Sequence, residues 1–395
     1  MSKYTFIAPC HFGLESVLKK EITDLGYEIK EVSDGRVTFA GDEAAIARCN
    51  VFLRTTERVL LLAGSFKALT FDELFEKTKS IAWEDFLPID AKFWVKKASS
   101  VRSALFSPKD IQSIVKKAVV ERMKEHYKLG WCNEDGYEYP LRVFINKDIV
   151  TIALDTTGES LHKRGYRTNT TQAPLSETLA AALLKLTPWR GGRTLVDPFC
   201  GSGTFPIEAA LIAADIAPGM GREFTAEKWT NIIKKKLWYE AVTEANDRID
   251  LSKCGDIQGY DIDEASIRMA VANARNAGVE KQIHFQKRDV KDLSHAGKYG
   301  FIITNPPYGE RLSEKAALPE LYRTMAESFK KLDTWSYYIL TAYDKVEDHF
   351  GRKADKNRKI YNGMIKTYFY SFIGPRPPKK GGDSFGSAPD KARGR

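Results

Sequence analysis

The sequence predicts an α/β protein: a doubly wound, mostly parallel sheet over residues 165–375, finished by an antiparallel hairpin and preceded by a smaller α+β region. Three observations predict it. From Arg164 onward the strand candidates are apolar runs ("RTLVD", "DIQGYD", "GFIITN", "SYYILTAY") that alternate with helices, the texture of parallel strands buried on both faces. Near the end, "RKIYNGMIKTYFYSFIG" reads as two strands around Asn362-Gly363, a hairpin signal. Before Arg164, short strands, helices and a hairpin at Asp34-Gly35 follow one another without such runs.

Taken in order, "YTFIAP" reads as a strand, "GLESVLKKEITDLG" as an amphipathic helix ending at Gly26, and "EIKEVSDGRVTFAG" as the hairpin. "DEAAIARCNVFLRT" is a second helix, "RVLLLAGSFKA" a strand, "FDELFEKTKSIAW" a helix and "AKFWVKKASS" a strand of alternating character. A long helix follows: Ser107 caps it, Pro108 takes its first position, and Ile111, Ile114, Val115, Ala118, Val119 and Met123 mark one apolar face. "YPLRVFINKDIVTIALDTTG" is a strand pair around Asn146–Asp148. The tail 376–395 is rich in Gly, Pro, Ser and basic residues and is expected to be disordered.

Composition narrows the function classes. A chain of 395 residues with 43% hydrophobic and 29% charged residues can hold two or three globular domains. Its longest apolar run, "LAAALL", is too short to span a bilayer, and "MSKYTFIAPCHFG" has no signal-peptide layout, so no membrane is expected. Cysteines at 10, 49, 132, 200 and 254 form no C-x-x-C pair, and the histidines show no H-x-x-x-H spacing. These patterns point to a reducing cytoplasm and no catalytic metal. The net charge of +9 hints at a polyanion. Between Lys92 and Lys128, ten Lys/Arg stand against three acids, a local net of +7, for which a solvated helix face is the plain alternative.

Four motifs in the second region each fall at a strand end. "LVDPFCGSGT" (195–204) is a strand, a small-residue turn and a helix start, where Gly201 and Gly203 admit close backbone approach and the helix offers free N–H groups. No G-K-[ST] follows, so this is not a Walker loop, and the third glycine of a dinucleotide fingerprint is missing. Asp197 suits a cationic amine, so a ligand carrying amine and carboxylate fits; a tight turn built of small residues is the rival reading. "GYDID" (259–263) offers Asp261 to a ribose diol, with a helix cap as the alternative, although Asp263 is the better cap. The 64 residues from Asp197 to Asp261 exceed a simple crossover, and the excess, "PGMGREFTAEKWTNIIKKKLWYEAVTEAND", reads as helices near the site with Lys234–Lys236 offered to a polyanion. "IHFQKRDVKDL" puts Asp289 after the third strand, able to receive an exocyclic amine or simply to be a loop acid. Sixteen residues on, Asn305-Pro306-Pro307-Tyr308 ends the fourth strand, because proline cannot donate to a ladder. The four converge on one crevice.

"DPFCGSGT", "GYDID" and "NPPYGERL" resemble the class I S-adenosylmethionine-dependent methyltransferases that act on nucleobase amino groups, over roughly residues 160–375. The resemblance implies a seven-stranded sheet. It implies that Asp197, Pro198, Gly201, Gly203, Thr204, Asp261, Ile262, Asp289 and Asn305 line the cofactor: methionine part on the 197–204 turn, ribose on Asp261, adenine amine on Asp289. It also implies that Asn305, Pro306, Pro307 and Tyr308 meet the target base. "RGYRTNTTQ" with "APLSETLAAALLKL" looks like the segment that closes over the cofactor. Residues 45–155 resemble a THUMP domain, an RNA-binding module, preceded over 1–60 by a ferredoxin-like module. The whole is similar to bacterial large-subunit rRNA guanine-N2 methyltransferases, often labelled adenine-specific DNA methylases. RNA is the implied partner, rRNA before tRNA, with Lys96, Lys97, Arg102, Lys116 and Lys117 as expected phosphate contacts; the oligomeric state stays open.

An exocyclic amine is a poor nucleophile, because its lone pair is conjugated into the ring. Two acceptors aimed at its N–H groups, Asn305 Oδ1 and the Pro306 carbonyl, draw the nitrogen toward sp³ geometry without a strong base. The base has to leave its stack, and Tyr308 stacks on it, unless Tyr308 is a core aromatic beneath the loop. Two alternatives stand beside guanine-N2 transfer: adenine-N6 methylation of DNA or RNA, and an RNA-binding protein with a vestigial methyltransferase domain.

Overall fold

The computed structural model of the chain describes residues 4–168, 175–309 and 316–378. Most of the expected tail, and Glu310-Arg311-Leu312 of the fourth motif, lie outside them, as does the middle of "RGYRTNTTQAPLSE". Among the described residues no helix is long and apolar enough to cross a membrane.

Two seven-stranded sheets organise the chain. The first contains β1 (Tyr4–Pro9), β2 (Glu28–Ser33), β3 (Arg36–Gly41), β4 (Leu60–Lys67), β5 (Lys92–Val101), β6 (Glu138–Asn146) and β7 (Ile149–Asp155) in the order β2-β3-β1-β4-β7-β6-β5. It is antiparallel except for β5–β6. Helices α1 (Glu15–Asp24), α2 (Glu43–Phe52), α3 (Phe71–Lys79) and α4 (Pro108–Tyr127) supply the layer that buries it. α4 begins as expected: Ser107 Oγ accepts from Asp110 N, Pro108 follows, and Ile111, Val115, Ala118, Val119 and Met123 are buried.

The second sheet contains β8 (Leu195–Asp197), β9 (Ile257–Asp261), β10 (Ile283–Lys287), β11 (Phe301–Thr304), β12 (Ser336–Thr341), β13 (Lys356–Asn362) and β14 (Ile365–Phe372). Their order is β10-β9-β8-β11-β12-β14-β13, parallel from β10 to β12 and antiparallel at β12–β14–β13. Side-chain alternation divides the apolar runs between two helical layers. Leu195, Phe301, Ile303 and Leu340 face a cluster with α5 (Glu177–Leu186) and α6 (Thr204–Ala213), whereas Val196, Ile302 and Ile339 face one with α9 (Leu318–Lys330) and α10 (Val346–Phe350). Strand order reverses between β8 and β11, so the crevice of a doubly wound fold opens there.

Two sequence expectations need correction. The segment 218–247, expected near the site, packs on the N-terminal sheet instead: Trp229, Ile232, Ile233, Trp238, Ala241 and Ala245 belong to that core. Trp229 stacks on Tyr139 at 4.8 Å and donates to the Glu138 carbonyl at 2.8 Å, while Arg48 on α2 meets Glu244 on α7 (Lys235–Asp247) at 2.8 Å. Six apolar residues at helical spacing need a partner face, and the N-terminal region supplies it. Lys234–Lys236 stay exposed on this clamp, with Lys236 paired to Glu240. Second, the hairpin turn is Gly363–Met364, one residue later than expected: Asn362 pairs with Ile365 and Gly363 carries φ +59°.

A buried ionic knot also joins the two regions. Arg164 donates to the carbonyls of Leu161 (2.7 Å) and Arg54 (2.6 Å) and lies 3.4 Å from the fully buried Glu208, which accepts from Tyr166 Oη at 3.2 Å. Replacing Arg164 by Met strands that carboxyl group. Chemical denaturation should show a loss of about 3–5 kcal/mol, and the Arg164→Met/Glu208→Met double variant should recover part of it.

Candidate active site

The site is assembled from four strand tips. Asp197, at the end of β8, is 2% exposed, and its Oδ1 accepts from Phe199 N at 3.1 Å and from the Thr304 hydroxyl of β11 at 2.6 Å. Burial pushes its carboxyl group up to about 7, against the pull of those two hydrogen bonds, and the nearby Asp261 adds to the rise. Pro198 is buried beside it. The turn then folds back on β9: Cys200 N donates to the Tyr260 carbonyl at 2.8 Å and Gly201 N to Asp261 Oδ2 at 3.0 Å. Gly201 and Gly203 take φ of +52° and +86°, and a Cβ on Gly203 would meet Ala270 of α8 (Glu264–Asn276) at 3.0 Å. These glycines therefore make the turn and let α6 approach α8.

At the next tip Asp261 accepts from Gly201 N and, through Oδ1, from Asp263 N at 2.9 Å; burial raises its carboxyl group as well. Asp263 caps α8, accepting from Ala265 N and Ser266 N, which leaves Asp261 to the crevice. Ile262 between them is 65% exposed. Asp289 caps the short turn Val290–Asp292 through Lys291 N and pairs with Lys291 Nζ at 3.3 Å, so the loop-acid role is present at this position.

The fourth tip carries the acceptor. Asn305 Oδ1 is buried, with no hydrogen-bond partner among the described residues. Pro306 is buried and Pro307 exposed. The Pro307 carbonyl accepts from Tyr322 Oη at 3.3 Å, and that hydroxyl also meets Thr341 Oγ1 at 2.5 Å. Tyr308 is half-buried, its hydroxyl receiving Asn362 Nδ2 from the hairpin at 3.1 Å. The ring is thus held at the edge of the crevice rather than sunk in the core.

Sequence reasoning missed Thr304, Tyr322 and Asn362, and three more residues around the turn. Arg167 donates to Thr204 Oγ1 at 2.8 Å and lies 3.2 Å from Glu177, while Asn273 donates to the Ser202 carbonyl at 3.0 Å. Arg167 brings a nearly buried cation to the start of α6, its Nε facing Glu177 Oε1 in that ion pair.

The expected phosphate-binding cations are spread over the first sheet. α4 packs on the face carrying Phe93, Val95 and Ala98. Lys116 on that helix pairs with Glu134 at 3.0 Å, and Lys117 lies over the Phe75 ring. Arg102 lines a groove of about 650 Å³ with Ser33–Arg36, Ser99, Val101, Phe144 and Lys147. Lys96 and Lys97 are both exposed because a bulge interrupts β5 between Val95 and Lys97. Lys92, Arg122 and Lys124 from the basic run are paired with Glu138, Glu84 and Glu121.

A crevice with two carboxyl groups raised by burial, a positive-φ turn at a helix start and an amide oxygen unpartnered among the described residues fits an amine-bearing nucleoside cofactor. The fold and these strand tips define a class I S-adenosylmethionine-dependent methyltransferase. The chain belongs to the RMKL-like methyltransferase domain family, whose model matches residues 164–370. An RlmL-type ferredoxin-like domain matches 5–60 and a THUMP domain 68–155. YpsC of Bacillus subtilis (strain 168), named as a candidate RNA methyltransferase, is 48% identical, the match covering 96% of this chain and 99% of YpsC. The ribosomal RNA large subunit methyltransferase K/L of Syntrophotalea carbinolica is 34% identical over 93% of this chain, which spans only 53% of that enzyme. SMU.472, a candidate methyltransferase solved in complex with SAH, is 40% identical with a TM-score of 0.90, covering 96% of this chain and 100% of its own.

A carboxyl group held near 7 by burial should be drawn back into charge by a cationic ligand. Calorimetry should therefore show S-adenosylmethionine affinity rising as pH increases from about 6 to 8, by up to about tenfold per unit below the raised pKa, with a proton released on binding. Asp197→Asn should bind weakly and without that pH dependence. In the ligand-free protein the sign is opposite. Folding favours protonated Asp197, so its stabilising contribution is full at acid pH and is lost as pH rises through about 7.

Proposed function

We propose that the protein transfers a methyl group from S-adenosylmethionine to the exocyclic N2 amine of a guanine in RNA, with 23S rRNA as the foremost substrate, in the cytoplasm. The observation that carries this reading is Asn305 Oδ1, a buried acceptor at the tip of β11 without a partner among the described residues. A buried unpaired amide oxygen costs about 1–3 kcal/mol, so its retention calls for a ligand donor. Asn305 Oδ1 and the Pro306 carbonyl accept the two N–H groups of the amine and turn its lone pair toward the methyl group. The prolines and the Tyr322–Pro307 hydrogen bond hold both acceptors in place beforehand. Tyr308, anchored by Asn362, stacks on the base, worth roughly 1–3 kcal/mol. When bound, the cofactor supplies a methyl group already activated by its sulfonium charge. The amine nitrogen takes that methyl, and its surplus proton leaves to water.

RNA as substrate is supported by the THUMP domain and by the names of YpsC and the K/L enzymes. Since the chain spans about half of the K/L enzymes, their full activity is not carried over with the fold.

Asn305→Ala should lower transfer at least about a hundredfold while cofactor affinity falls far less; normal transfer would refute the acceptor role. Nucleoside mass spectrometry of rRNA from a strain lacking the gene should show one N2-methylguanosine missing, whereas loss of N6-methyladenosine would assign the amine to adenine. For RNA binding, Lys97→Glu/Arg102→Glu should weaken affinity and flatten the salt dependence by about 0.7–0.9 per lost phosphate contact. Lys116→Glu should do less, because Glu134 already holds that cation.

A further inference from the structure

The C-terminal hairpin brings its turn to the edge of the crevice. Asn362, the last residue of β13, faces inward and donates to Tyr308 Oη at 3.1 Å. The two-residue turn Gly363–Met364 follows, with Gly363 at φ +59° and Met364 outside the positive-φ region, the pattern of a II′ turn. Met364 is 96% exposed, more than any other large apolar residue described. Behind it one face of the hairpin carries two crossed pairs, since Tyr361 stands opposite Lys366 and Lys359 opposite Tyr368. Lys359 Nζ lies 5.2 Å from the Tyr361 ring and Lys366 Nζ 5.2 Å from the Tyr368 ring. Cations and aromatic rings thus alternate along the face that leads to the exposed methionine.

A single exposed apolar residue ordinarily needs no explanation. Its setting here supplies one. An enzyme acting on a base amine has to take the base out of its stack, which opens a gap. Proteins that unstack nucleic acid fill or force such gaps with apolar side chains, methionine among them. A methionine is unbranched and polarizable and adapts to an irregular gap. The Asn362–Tyr308 hydrogen bond fixes the separation between the ring that takes the base and the turn that would enter the stack. Lys359 and Lys366 supply charge for the phosphates on either side, without reading sequence.

We propose that Met364 is a wedge. It inserts into a stacked base step of the RNA substrate and occupies the space left by the target base, while Tyr308 and Asn305 hold the extruded base. The role rests on the base-methylation reading above, and it assigns the hairpin turn to RNA stacked around the target.

The experiment uses the full chain, 23S rRNA purified from a strain lacking the gene, and cofactor carrying a tritiated methyl group. Met364→Ala should lower the single-turnover rate by about tenfold or more, because the unstacked state is no longer held open. The dissociation constants for rRNA, by filter binding, and for the cofactor, by calorimetry, should stay within about twofold of the wild type, as should the rRNA Kd of Met364→Phe, whose ring can fill the same gap and restore the rate. Thermal midpoints of both variants should match the wild type, since the side chain makes almost no intramolecular contact surface. A Met364→Ala enzyme that works at the wild-type rate overturns the wedge. So does a rate loss matched by an equal loss of rRNA affinity, which would make Met364 an ordinary contact. Failure of the wild-type chain to methylate this rRNA overturns the functional reading first, and the wedge with it.

Discussion

The hydrogen bond from the Thr304 hydroxyl to Asp197, 2.6 Å long and buried at both ends, ties β8 to β11 where the strand order reverses. One residue beyond Asp197 the turn proposed to hold the cofactor begins; one residue beyond Thr304 stands Asn305. The two halves of the proposed chemistry are therefore positioned from a single contact. The carboxyl group stays buried against its solvation preference, and only its pairing with Phe199 N and Thr304 makes that tenable. The turn that Asp197 starts then anchors on the neighbouring tip, through Gly201 N on Asp261. Strand tips, rather than loops, thus set the distances inside the crevice, as a site acting by preorganisation requires.

The same demand extends to the whole chain. On the proposed function, RNA held by the first sheet would have to deliver one base to a loop of the second, which calls for two regions in a fixed relation. Three devices lock them. The 218–247 clamp reaches back from the methyltransferase domain into the N-terminal core. Arg164 binds the carbonyl of Arg54 and the carboxyl group of Glu208. Glu57, just before β4, accepts from Ser160 at 2.6 Å and from Thr178 on α5, and lies 2.7 Å from His162. Against the pull of burial, hydrogen bonding with His11, His162, Ser160 and Thr178 holds its carboxyl group far below the usual carboxylate range, so Glu57 stays charged.

Much of this was legible in the sequence because certain residues have narrow backbone meanings. Two consecutive prolines end a strand, glycines at positive φ make a turn, and an aspartate before a helix caps it, so the four strand tips could be placed by inspection. What stayed hidden are pairings between residues far apart in the chain. Thr304 meets Asp197 across 107 positions and Asn362 meets Tyr308 across 54, and neither threonine nor asparagine carries a local signal for such a contact. The clamp was misplaced for a related reason: the spacing of Trp229, Trp238 and Ala241 shows that a face is buried, not which face buries it. The hairpin turn slipped by one because Asn-Gly and Gly-Met both satisfy two-residue turn chemistry, and only the cross-strand register of Asn362 with Ile365 selects between them.

On the proposed reading, the acceptor pair at Asn305 and Pro306 would recognise an amine with two N–H groups, a feature that guanine, adenine and cytosine share. Such a pair would drive the chemistry without naming the base. Discrimination has to come from the other edges of the base and from how the surrounding RNA is held. Within the run counted from Lys92 to Lys128, acids already hold Lys92, Lys116, Arg122 and Lys124, whereas Lys96 and Lys97 stay exposed. Arg102 of the same run lines a groove with Lys147 on the first sheet, and Lys359 and Lys366 line a face of the hairpin beside the crevice. In the proposed function, two such surfaces on one chain would act as a ruler. An RNA that spanned both would set one nucleotide at Asn305, making specificity a matter of folded shape rather than of bases read along a strand.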